Sequence, residues 1–124
     1  MGKRILIVDD EADYSFLLKR GLEAVGRFEV TVCRDPMEAV SYVERLKPDL
    51  LLLDVLMPGK GGEDVATEVQ AKPDLANIPI IFLTSLVRPD EATKLPQVIG
   101  GRYFVPKQVK IAKLIEVMNR VMSP

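Results

Sequence analysis

The chain has 124 residues, 48% hydrophobic and 28% charged, with 17 Lys and Arg against 18 Asp and Glu. That is enough apolar sequence to bury the core of one domain, and the charge is too balanced for a disordered segment or a general nucleic-acid binder. A single cysteine, Cys33, excludes an internal disulfide, and the absence of histidine excludes imidazole as a base, a metal ligand or a phosphoryl donor.

The first apolar run, Ile5 to Val8, is too short for a signal peptide and leads into acids, and no run reaches membrane-spanning length. A soluble, cytoplasmic protein is expected. The charge is uneven: residues 1 to 85 carry ten Lys and Arg against fifteen Asp and Glu, and residues 86 to 124 carry seven against three. A basic last third of this kind fits an ordinary solvated helix face as well as a surface for an acidic partner.

Arg4 to Val8 is a short β-branched run ending in Asp9, Asp10 and Glu11. Ala12, Phe16, Leu18, Leu22 and Val25 then recur at helical steps, and Gly26 can close that helix. Glu29 to Cys33 reads as a second strand, with Cys33 as a small core residue. Asp35, Pro36 and Glu38 have the marks of a helix start, and Ala39, Val40, Val43 and Leu46 form its inner face before Pro48 ends it.

Leu50 to Gly62 reads LLLLDVLMPGKGG. Four consecutive leucines suit a strand buried on both faces, and the run ends on Asp54 before a Pro and Gly turn. In an open parallel sheet, ligands bind at this carboxyl edge, so Asp54 is a site candidate. Gly62 to Lys72 predicts a third helix, with Val65 and Val69 on one side. Ile80 to Thr84 is a fourth buried strand, ending in the hydroxyls of Thr84 and Ser85. Pro89 can open a fourth helix that Pro96 confines to an end near Lys94 or Leu95. After Gly100 and Gly101, Arg102 to Val105 predicts a fifth strand, and Pro106 behind it suits a sheet edge. Val109 to Met122 closes the chain as a helix with Ile111, Leu114, Ile115 and Met118 inward.

Five strands alternating with five helices imply an α/β fold with a parallel sheet covered on both faces. Its carboxyl edge gathers Asp9, Asp10, Asp54, Thr84 and Lys107. Carboxylates packed together raise one another's pKa unless a cation neutralises them. An all-oxygen set favours a hard ion, and Mg²⁺ is the usual choice where phosphate shares the site. A carboxylate nucleophile, a metal, a lysine and a hydroxyl together form a phosphoryl-transfer constellation.

With ILIVDDE, LLLLDVLMPGKGG, IIFLTS and FVPK in this order and spacing, the chain resembles, end to end, the receiver domain of two-component response regulators. The resemblance implies a flavodoxin-like three-layer sandwich with strand order 2-1-3-4-5, and residues 1–124 as a single receiver domain without an output domain. It implies that Asp54 accepts a phosphoryl group from a sensor histidine kinase or phosphotransfer protein. Asp9, Asp10, Asp54 and the backbone carbonyl of Leu56 would hold Mg²⁺, and Lys107 and Thr84 would contact the phosphoryl group. The signal would pass from Thr84 to the aromatic switch position, Phe104, and so to a downstream protein on the face of helix four, strand five and helix five. Dimerisation on phosphorylation is compatible with this scheme, and direct contact with nucleic acid or membrane is not expected.

Several positions depart from the family pattern. Pro106 precedes Lys107 and Gln108 follows it, where receivers usually have lysine followed by proline. Phe104 stands where a switch tyrosine is common, Ser85 replaces a small alanine, and Pro96 shortens the fourth helix. All these changes lie on the face by which receivers usually signal, so a receiver-like adaptor that works without phosphorylation is the alternative. Apolar Leu56 and Leu86, two positions beyond Asp54 and Thr84, predict slow attack by water and a long-lived phosphoryl group. A phosphatase with an aspartyl-phosphate intermediate, the enzyme alternative, needs a second aspartate where Leu56 stands, and the chain has no insertion to cap a substrate.

Overall fold

In chain order the elements are β1 (Lys3–Val8), α1 (Ala12–Glu23), β2 (Phe28–Cys33), α2 (Ala39–Leu46), β3 (Leu50–Asp54), α3 (Gly62–Gln70), β4 (Ile80–Thr84), β5 (Gln97–Ile99), β6 (Arg102–Pro106) and α4 (Ile111–Met122). The computed structural model describes residues 2–85 and 94–123. The helix expected to begin at Pro89 therefore lies outside the described residues.

All five residues of β3 are buried. This strand pairs in parallel with β1, Ile5 opposite Leu50, and with β4, Leu51 opposite Ile80. Alternation along the strands divides the core in two. Ile5, Ile7, Leu50, Leu52, Ile81, Leu83 and Val105 pack towards Leu18 and Leu22 of α1 and Leu114 and Met118 of α4. Leu6, Val8, Leu51, Leu53, Ile80 and Phe82 pack towards Val43 of α2 and Val65 and Val69 of α3. Each leucine fully buried this way contributes roughly 1.5–3 kcal/mol, which makes the sheet a firm mount for whatever its strands carry at their ends.

The sheet order is β2-β1-β3-β4-β6-β5, the expected flavodoxin-like order with one strand added. Arg102–Pro106 is consequently not the edge. It lies parallel to β4 on one side and antiparallel to β5 on the other. Gly100 and Gly101 have φ of 58° and 79°, and two successive positive φ values make the tight hairpin turn that folds β5 onto β6. Pro106 is tolerated because the β5 pairing stops at Phe104, opposite Gln97, so its missing N–H interrupts no antiparallel bond.

Helix ends follow local chemistry. Asp35 Oδ1 accepts from Met37 N–H at 2.9 Å, and α2 is entered through a 3-10 turn, Pro36–Glu38. Lys47, at φ 44°, closes α2 in the left-handed region. On α1 the inward stripe is Ser15, Leu18 and Leu22. Phe16 and Val25, expected inward, are exposed. Ser15 can face inward because its hydroxyl donates to the carbonyls of Glu11 and Ala12 at 2.9 and 3.1 Å. Among the described residues, no helix is long and apolar enough to cross a membrane.

Candidate functional site

Four neighbouring strands end at one place. Asp9 to Glu11 follow β1, Asp54 ends β3, Thr84 ends β4, and Lys107 follows β6. The backbone there is tightly set. Asp9 N–H donates to the Cys33 carbonyl at 3.1 Å, and Lys107 N–H donates to the Thr84 carbonyl at 2.9 Å. Gly62, the first residue of α3, closes the loop behind Asp54, where a Cβ would lie 2.1 Å from the Asp54 carbonyl oxygen. No other residue fits, which explains the second glycine of the Gly61-Gly62 pair.

Lys107 is the hub. Its Nζ lies 2.9 Å from Asp9 Oδ2 and 3.3 Å from Asp54 Oδ1, and it donates to Glu11 Oε1. Its ammonium also sits 4.7 Å from the centre of the Tyr14 ring, and Tyr14 Oη donates to the Lys107 carbonyl at 3.1 Å. The unusual Pro106-Lys107-Gln108 order therefore still delivers the ammonium to Asp54, with the loop held from α1 by Tyr14.

The electrostatics follow from burial. Asp54 is 5% exposed and its pKa is pushed up to about 6, first by burial and then by the charge of Asp9, against the opposing pull of Lys107. Burial works against the charge of Lys107, but its bond to Glu11 and its pairing with the charges of Asp9 and Asp54 outweigh it and raise its pKa. Tyr14 is raised to about 12, mainly by burial, so its hydroxyl stays protonated and able to donate.

A cavity of about 210 Å³ opens here, lined by Asp10, Glu11, Asp54, Leu56, Thr84, Ser85 and Lys107. Oxygens of Asp9, Glu11 and Asp54 lie within 4.8 Å of one another. Asp9 Oδ2 is buried and, although Lys107 is close, has no correctly directed hydrogen-bond donor among the described residues. An under-satisfied buried carboxylate oxygen in an all-oxygen group suits a hard divalent cation such as Mg²⁺.

All the residues singled out at the strand ends meet at this edge. Asp10 lines the cavity and is exposed, outside the tight carboxylate group. Leu56 is 65% exposed at the rim. Phe104 lies away from the cavity, stacked on Phe82 with ring centres 5.1 Å apart. Two participants were not singled out in the sequence. Glu11 was legible as the third acid of a run, whereas the contact of Tyr14 with a lysine 93 residues away leaves no local trace.

Comparison with known proteins agrees with this geometry. Residues 5–119 match the response regulator receiver domain. The chain is 33% identical over 124 residues to the phosphate regulon transcriptional regulatory protein PhoB of Pseudomonas aeruginosa, an alignment covering 97% of this chain and 53% of that protein. Across the curated relatives it matches, the chain spans about a third to a half of their length. A response regulator structure from Chloroflexus aurantiacus superposes with TM-score 0.84 at 26% identity, covering all of both chains. The receiver domain of the sensor histidine kinase PA1611 of Pseudomonas aeruginosa, which has a magnesium ion coordinated in its active-site cleft, superposes with TM-score 0.80 at 27% identity over 98% of each chain. Because the match runs unbroken through all four strands that supply the acidic edge and on past Lys107, the chain belongs to the response regulator receiver domains of two-component signalling.

Proposed function

We propose that Asp54 is the phosphoryl acceptor of this receiver and that residues 1–124 act as a single switching unit. The observation that carries this is the convergence of Lys107 Nζ on Asp54 at 3.3 Å and Asp9 at 2.9 Å at one edge of the sheet. In the transfer an Asp54 carboxylate oxygen forms the new P–O bond as the P–N bond of a donor phosphohistidine breaks, and the imidazole leaves. Lys107 supplies a fixed positive charge to a phosphoryl oxygen, and the Thr84 hydroxyl donates to another. Asp9, Asp10, Asp54 and the Leu56 carbonyl are the proposed holders of Mg²⁺. When bound, Mg²⁺ neutralises the carboxylates and the charge that develops on the transferring group.

The donor is a sensor histidine kinase or a phosphotransfer protein. For the output, alternation along β4 puts Phe82 and Thr84 on one face of the sheet, and Phe104 is stacked on Phe82. A movement of Thr84 towards the phosphoryl group is thereby coupled to Phe104. The face around β6 and α4 is the proposed surface for a downstream protein or a second copy of the chain. Neither nucleic acid nor membrane is an expected direct partner.

The test is Asp54→Asn, which should fold and lose covalent labelling by acetyl phosphate in Mg²⁺; undiminished labelling would move the acceptor elsewhere. One observation favours the adaptor alternative. The β5 hairpin adds a strand beside β6, on the flank through which the phosphorylation signal would pass. Amide NMR with Mg²⁺ and beryllofluoride separates the two. Shifts that reach Phe104 and α4 support the switch, and shifts confined to the acidic pocket support the adaptor.

A further inference from the structure

Lys107 has three ammonium hydrogens and three carboxylates around it: Asp9, Asp54 and Glu11. The ammonium donates to Glu11 and lies within ion-pair reach of Asp9 and Asp54, so three carboxylates compete for one cation. The three acceptors are not equivalent, because the side chains of Asp9 and Asp54 are 1% and 6% exposed and that of Glu11 is 59% exposed. Asp9 and Asp54 are fixed by the strand ends, and a buried carboxylate that loses its cation has no water to replace it. Glu11 can rotate into solvent and be rehydrated at little cost. Its backbone does not need to move, since Glu11 N–H stays bonded to Asp9 Oδ1 at 2.8 Å.

We infer that Glu11 is a latch on Lys107: it holds the ammonium in the unphosphorylated state and must let go for Lys107 to bind the phosphoryl group. This rests on Asp54 as the acceptor and adds a positioning residue that sets how tightly the phosphoryl state is held. Glu11 opposes that state by competing for Lys107. Tyr14 keeps the lysine in place while the partner changes, through its ring and its bond to the Lys107 carbonyl.

The experiment titrates the full chain with beryllofluoride at saturating Mg²⁺, followed by amide NMR, and separately measures Mg²⁺ affinity. Glu11→Gln should tighten beryllofluoride binding by about two- to fivefold, the upper part of the range expected on releasing one exposed ion pair, and leave Mg²⁺ affinity close to that of the wild type. Asp13→Asn is the control for general charge removal, because Asp13 is an exposed acid in the first turn of α1 with no ion pair to Lys107. Its beryllofluoride affinity should stay near that of the wild type. Equal tightening in both variants, or no tightening in Glu11→Gln, overturns the latch. So does a parallel loss of Mg²⁺ affinity, which would make Glu11 a metal ligand instead. If the wild type itself binds no beryllofluoride, the acceptor assignment fails and the latch fails with it.

Discussion

Asp54→Asn without Mg²⁺ tests the electrostatics of the site apart from its chemistry. The Asp54 pKa rises from 3.8 to about 6 on folding, by burial and the charge of Asp9, net of the attraction of Lys107. A carboxyl whose folded pKa is raised contributes stability that is present below its unfolded pKa and lost as pH rises through its folded pKa. At pH 7 the ionised group therefore burdens the fold, by a ceiling of about 3 kcal/mol for roughly two pKa units at 1.36 kcal/mol each. Asparagine keeps the size and one acceptor oxygen for Lys107 and removes the charge. In EDTA at pH 7, Asp54→Asn should be more stable than the wild type by about 1–3 kcal/mol in urea unfolding. The gap should close as pH falls from 6 to 4, where Asp54 takes up its proton in the folded protein. Saturating Mg²⁺ should also narrow it, since an ion that prefers the wild-type site adds about 2.7 kcal/mol at a hundred times its Kd. A variant no more stable than the wild type at pH 7, with a difference that stays flat from pH 4 to 7, would refute the claim that repulsion from Asp9 and burial outweigh the pairing with Lys107.

Lys107→Ala removes the cation shared by Asp9, Glu11 and Asp54. The Mg²⁺-free protein should lose about 3 kcal/mol, as buried ion pairs do when one partner is deleted. Mg²⁺ affinity by calorimetry should be no weaker, while the beryllofluoride-induced shifts at Phe104 are lost; equal loss of both would make Lys107 a structural support only. Gly62→Ala places a methyl group against the Asp54 carbonyl, and should cost at least about 1–3 kcal/mol in thermal unfolding and weaken acetyl phosphate labelling. Unchanged stability and labelling would show that the α3 entry does not position Asp54.

Much of the site was legible because the cues are local. Asp54 ends an unbroken apolar run, and such a run must be a buried strand whose first charged residue marks the sheet's edge. Asp9 and Thr84 follow the same logic on their own strands. Phe16 misled because a helical apolar repeat does not say which flank of the stripe meets the core, and Ser15 took the inward position by bonding to its own backbone. Gly100 and Gly101 marked a turn. That the turn folds Gln97–Ile99 back onto β6, and so removes Arg102–Pro106 from the edge, depends on pairing that Pro96 and Gln97 do not announce.

The sequence by itself determined the parallel sheet, its central strand and the acids at its carboxyl edge, since hydrophobic period, proline and glycine act over a few residues. Only the tertiary structure decided the partners of Lys107. Asp9, Glu11, Tyr14 and Asp54 lie far from it along the chain and reach it only when β1, β3 and β6 share one edge. The geometry of that edge leaves Asp9 and Asp54 buried and Glu11 in water, a difference that acids and a lysine read along the chain cannot express.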